Sequence, residues 1–130
     1  MKNLRSKLAL FIVALTSVVS FSACDSSYDR AGYPVVNYHI PDLVIGRAEA
    51  WSRDLLATPK VFTHTTDAYL YFDAYSNNTA VADAYVRNGF LYVVAGVPGT
   101  AKIRVSAEDA DGDYVEDEFI VTIDPNAPKR

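Results

Sequence analysis

The sequence predicts an all-β chain: one two-sheet sandwich of about seven short strands, following a signal peptide. Three observations carry that expectation. Apolar residues recur with period two in several stretches, the spacing of half-buried strands. Clusters of Asn, Asp and Gly punctuate those stretches at short intervals. No stretch after residue 24 has helical spacing, and 130 residues leave room for one domain and little more.

The N-terminus reads as an export signal. Lys2, Arg5 and Lys7 form a short basic region, residues 8–19 are apolar apart from Thr16 and Ser17, and the small residues Ser20, Ser22 and Ala23 follow. A spanning helix needs about 20 apolar residues, and this run is shorter. Residues 1–23 are therefore expected to be a cleaved signal peptide. Residues 24–36 carry Ser26, Ser27, Gly32 and Pro34 among scattered tyrosines, without periodicity, and read as a flexible tether beginning at Cys24. Residues 37–124 form the expected sandwich. Residues 125–130, with two prolines and nothing apolar larger than alanine, are expected to be a disordered tail.

Within the sandwich, residues 38–40 and 47–51 supply two weak strands. In residues 68–75, Leu70, Phe72 and Ala74 take one face while Tyr69, Tyr71, Asp73 and Tyr75 take the other, and Asn77-Asn78 ends the run. Residues 79–87 and 89–95 read as two strands around a turn at Asn88-Gly89. The clearest strand is 100–108, where Ala101, Ile103, Val105 and Ala107 alternate with Lys102, Arg104, Ser106 and Glu108. Phe119, Val121 and Ile123 alternate with Glu118, Ile120 and Thr122 in the last one. The Asp- and Gly-rich stretch 109–113 between them suits a hairpin turn.

Two resemblances follow from these residues. Phe21-Ser22-Ala23-Cys24 resembles the lipobox of bacterial lipoproteins, with Phe21 where that family prefers Leu. The resemblance implies that Cys24 is lipidated and becomes the first residue of an exported, membrane-anchored protein on the periplasmic or cell-surface face. Ordinary cleavage after Ser22 is the other reading of the same segment. Residues 40–123 resemble the immunoglobulin-like and dystroglycan-type cadherin-like modules of bacterial exported proteins. The matching motifs are Ile40-Pro41-Asp42 with Gly46, Leu70 through Asn77, Gly89-Phe-Leu-Tyr-Val93, and Gly99 through Gly112 followed by Phe119-Ile-Val-Thr-Ile123. That resemblance implies a sandwich used as a spacer, adhesive unit or binding accessory, without catalytic residues.

Charge narrows the partners. The formal net charge of −4 becomes −7 once Lys2, Arg5 and Lys7, the only charges before Cys24, are removed. An acidic module without a basic stripe is not expected to bind nucleic acid, or to meet a membrane except through its lipid. A single cysteine excludes an internal disulfide and a cysteine-built zinc site.

The candidate site residues fall in two groups. Tyr69, Tyr71 and Tyr75 share one strand face, and Tyr85, Tyr92 and Tyr114 are further candidates for it. Tyrosines on an exposed sheet suit protein or glycan binding, and equally serve as strand residues that stabilise any sheet. Asp109, Asp111 and Asp113 form the densest carboxylate cluster. Alternate aspartates on a turn could offer calcium three of its six to eight oxygens, and Asp and Gly are also what a hairpin turn uses. His39 and His64 have no Cys or His at ligand spacing, and neither a nucleophile-elbow motif nor a phosphate loop is present. The expectation is a non-catalytic envelope module that binds a protein or glycan. The alternatives are a structural subunit that pairs through a strand edge, or a calcium-responsive module.

Overall fold

A computed structural model describes residues 32–128, all in strands, turns and loops with no helix. Nine strands follow in order: β1 (Pro34–Val36), β2 (Leu43–Ile45), β3 (Ala50–Asp54), β4 (Phe62–His64), β5 (Tyr71–Ser76), β6 (Ala82–Arg87), β7 (Phe90–Ala95), β8 (Gly99–Glu108) and β9 (Tyr114–Ile123). Seven of them make the two main sheets, of order β2-β9-β8-β5 and β3-β7-β6, and β1 pairs with β4 in a third, two-stranded sheet. The chain is thus an open-sheeted β-sandwich. With β3 and β5 to β9 read as strands B to G, the B-E-D and G-F-C order of the immunoglobulin sandwich appears. The short β2 lies parallel to β9 at the sheet edge.

The β8–β9 hairpin organises the core because its alternation is the longest in the chain. Ala101, Ile103, Val105 and Ala107 from β8 and Phe119, Val121 and Ile123 from β9 all point inward and are buried. Leu91 and Val93 of β7, Ala82 and Ala84 of β6, and Leu43 and Ile45 of β2 join the same apolar cluster. Trp51 of β3 is half-buried against it, its ring 6.2 Å from that of Phe119. Phe62 of β4 meets Phe72 of β5 at 5.9 Å, so the two-stranded sheet closes over the Ala107 end of the hairpin. Burying a side chain of this size contributes about 1.5–3 kcal/mol.

Local chemistry sets the turns. Asn88 (φ 52°) and Gly89 (φ 81°) both take the left-handed conformation that a two-residue hairpin of the primed type requires. Gly96 is required for space, since a Cβ there would lie 2.1 Å from the Ala80 carbonyl oxygen.

The structure corrects several expected boundaries. Pro34–Val36 is a strand, so ordered pairing begins inside the stretch read as tether. Residues 38–40 are not a strand. The pairing segment there is Leu43–Ile45, and β3 begins at Ala50. The three-residue β4 was not expected at all, being too short to show a period. Beyond β9, the Asp124 carboxylate and carbonyl accept the amides of Asn126 and Ala127, closing a turn at the start of the expected tail. The expected signal peptide (residues 1–23) and Cys24 lie outside the described residues.

Candidate functional site

The outward face of β5-β8-β9 is built by register. Period-two alternation sends Tyr71, Asp73 and Tyr75 of β5 outward while Phe72 and Ala74 pack against the core. Antiparallel pairing then places three rows across the sheet: Tyr71–Glu108–Tyr114, Asp73–Ser106–Glu116 and Tyr75–Arg104–Glu118. Tyr69, just before β5, extends the first row, its ring 4.8 Å from that of Tyr71 and edge-on. Tyr69, Tyr71 and Tyr75 are 74%, 59% and 54% exposed. All three predicted residues therefore sit on one solvent-facing surface, and Tyr114 joins them.

Charges lock part of that face. The Arg104 guanidinium lies 5.1 Å from the Tyr75 ring centre, and its Nε is 3.3 Å from Glu118 and 3.6 Å from Glu116. Lys102 lies 3.7 Å from Glu118. Exposed pairs like these contribute little to stability, roughly 0–1 kcal/mol each, but they hold the Arg104 and Tyr75 side chains in place. A shallow depression of about 200 Å³ lies over Asp73, Tyr75, Arg104, Ser106 and Glu116.

Tyr85 and Tyr92 belong elsewhere, because β6 and β7 are in the other sheet. They stand directly opposite each other there, rings stacked at 5.2 Å, with Phe90 at 6.2 Å from Tyr92. A crevice of about 550 Å³ opens between the β6–β7 turn and the start of β5, walled by Leu56, Tyr69, Tyr71 and Val86. Sequence reasoning did not place it. It depends on Leu56, 55% exposed in the loop after β3, coming across to β5.

The aspartate cluster has a definite structural use. Asp109 continues the inward phase of β8 and is buried, whereas Asp111 is exposed and Asp113 half-exposed. Its Oδ1 accepts the backbone amides of Asp111 (2.9 Å) and Asp113 (3.0 Å), and its Oδ2 accepts from His64 Nε2 at 3.0 Å. His64 Nδ1 accepts the Thr66 amide, which fixes the proton on Nε2. The Thr66 hydroxyl also lies 3.1 Å from that Nδ1, whose lone pair is thus engaged in the 64–67 turn. Burial alone would raise the Asp109 carboxyl pKa. The hydrogen bonds from His64 and from the two backbone amides outweigh it and hold the group below its ordinary range. Among the described residues, no three His, Cys, Asp or Glu side chains are arranged to hold a metal ion.

A second His–Asp pair was missed. Asp117 occupies an inward position of β9 beside Val105, with a fully buried side chain. One oxygen accepts the Ile40 amide at 2.8 Å and the other bonds the exposed His39. The two histidines of the chain thus each meet an inward-phase aspartate of the β8–β9 hairpin, pinning the segments around β1 and β4 to it. Compared with known proteins, the chain matches no protein-family model and no curated protein.

Proposed function

We propose that this chain is a non-catalytic, lipid-anchored module of the bacterial cell envelope, and that the outer face of β5-β8-β9 contacts an envelope protein or glycan. The observation that carries the reading is the exposure of Tyr69, Tyr71 and Tyr75 together on one open sheet face. Each ring offers an apolar body and a polar tip at small conformational cost, the composition that contact surfaces favour. Cys24 within its lipobox-like segment supplies the attachment, and two or three acyl chains at about 0.8 kcal/mol per buried methylene make it stable.

Pairing through a strand edge is less favoured by the local chemistry. The edge strands β5 and β6 each spend an aspartate on their own backbone: Asp73 accepts the Ala74 amide and Asp83 the Ala84 amide, both at 2.9 Å. An incoming strand would have to displace them, and charged side chains on an edge are a common guard against such pairing.

The test replaces Tyr69, Tyr71 and Tyr75 with serine in the full chain and follows capture of envelope proteins and glycans in parallel with the melting curve. The reading predicts lost capture by a protein that still melts cooperatively, at a somewhat lower temperature because exposed strand tyrosines support the sheet. Capture that survives the triple replacement would remove the face as the binding surface. Cys24→Ala should release the protein from the membrane fraction, and unchanged fractionation would count against the anchor.

A further inference from the structure

Two rows of the tyrosine face bring tyrosine and carboxylate together, in different orders across β5, β8 and β9. In the row Tyr75–Arg104–Glu118, the Arg104 guanidinium lies over the tyrosine ring and between two glutamates. In the row Tyr71–Glu108–Tyr114, a carboxylate stands between two tyrosines on strands about 4.8 Å apart. Here no cation among the described residues pairs with the carboxylate. Glu108 is exposed and makes no ion pair or side-chain hydrogen bond among the described residues. Tyr71 and Tyr114 are 59% and 62% exposed, and Tyr69 flanks Tyr71 edge-on. Cations are attracted to ring faces within about 6 Å of the centroid, and Glu108 stands directly opposite both Tyr71 and Tyr114 in the ladder. The surroundings are acidic, with Asp73 in the next row and Asp111 in the β8–β9 turn.

We infer that the Tyr71–Glu108–Tyr114 row binds a lysine or arginine side chain on a basic segment of a partner protein. The inference rests on the reading of this face as the contact surface and names the chemistry of its partner. Charge complementarity supports that occupant: an acidic, ring-lined surface attracts a cationic peptide and speeds its encounter. Arg104, over Tyr75 and beside Glu116 and Glu118, is an instance on the same face of a guanidinium held by a tyrosine ring and carboxylates.

The experiment measures binding of fluorescein-labelled hexalysine and hexaarginine to the full chain, with a glycine–serine peptide of equal length as the neutral control. Saturable binding of the cationic peptides alone is expected, weakening as salt rises. Tyr71→Leu and Tyr114→Leu should each weaken it about threefold, the size of one exposed cation–ring contact. Glu108→Gln should weaken it at least as much. Asp83→Asn removes the same charge from the other sheet and keeps an oxygen for the Ala84 amide, so it should leave binding unchanged. Arg104→Gln should raise the stoichiometry, because it frees the second row. Equal loss in Asp83→Asn and Glu108→Gln would overturn the inference, since it would show diffuse attraction to net charge. Absence of cationic-peptide binding would overturn it too. If the serine triple replacement still abolished capture in that case, the face would remain a contact surface for an uncharged partner such as a glycan. If capture persisted, the underlying reading would fail as well.

Discussion

Replacing Asp117 with alanine tests how the long hairpin holds the segment between β1 and β2. The Asp117 side chain is fully buried, and the Ile40 amide donates to it at 2.8 Å in a site that water does not reach. Alanine leaves that amide unsatisfied, which costs about 1–3 kcal/mol. The lost His39 contact adds little, roughly 0–1 kcal/mol, because His39 is 82% exposed and water screens its side of the pair. Removing a buried carboxylate also relieves its desolvation cost, so the net expectation is about 1–3 kcal/mol of destabilisation. For a domain of this size that lowers Tm by roughly 5–20 °C. In urea the midpoint should fall by roughly 0.5–2 M with the slope unchanged. Asp117→Asn keeps an acceptor for the Ile40 amide and should cost less, and His39→Ala should cost least. Hydrogen exchange at Ile40 should speed up in Asp117→Ala alone. A stability within about 0.5 kcal/mol of the parent would refute the reasoning, as typical of a surface change. So would a His39→Ala loss as large as that of Asp117→Ala, because it would shift the weight to the exposed contact.

Three further predictions follow from the same geometry. The folded Asp109 pKa lies below its ordinary value of 3.8, so its stabilising contribution is fully present above that pH and is lost as pH falls through the lower folded value. The stability gap between parent and Asp109→Asn should therefore be constant near neutrality and shrink below about pH 4, as urea titrations at several pH values would reveal. Gly96→Ala places a Cβ 2.1 Å from the Ala80 carbonyl oxygen and should destabilise by about 1–3 kcal/mol or more, read as a lower Tm. Millimolar calcium should leave Tm unchanged, because both Asp109 oxygens are already engaged by protein donors. A Tm that rises with calcium concentration would show specific binding and revive the aspartate cluster as a cation site.

Much of the fold was legible because a few strands are long and strictly alternating. Residues 101–107 and 119–123 announce β8 and β9, and Asn88-Gly89 announces the β6–β7 hairpin through the left-handed conformations that only such residues adopt cheaply. The outward placement of Tyr69, Tyr71 and Tyr75 followed from the same period. The three-residue strands β1, β2 and β4 left no usable pattern, since their position depends on partners far along the chain. Register was equally hidden, so the rows that set Arg104 on Tyr75 and Glu108 between Tyr71 and Tyr114 had to await the structure. The His–Asp pairs span 78 and 45 residues, beyond any local spacing rule. Half of that signal was nonetheless present. Asp109 continues the inward phase of residues 101–107, and Asp117 continues that of Phe119 backwards, so each places a carboxylate where an apolar residue was due. A buried acid requires partners, and here a histidine and backbone amides supply them for each aspartate.

The claim that one sheet face makes the contact is tested most directly by photocrosslinking in cells. A photoreactive residue at position 106 replaces Ser106 in the middle of the tyrosine face. The same residue at position 52 replaces Ser52 beside Tyr92 on the outer surface of the other sheet. The account predicts a discrete crosslinked partner from position 106, lost when Tyr69, Tyr71 and Tyr75 become serine, and none from position 52. Crosslinks from position 52 with none from position 106 would contradict it and move the contact surface to the Tyr85–Tyr92 side.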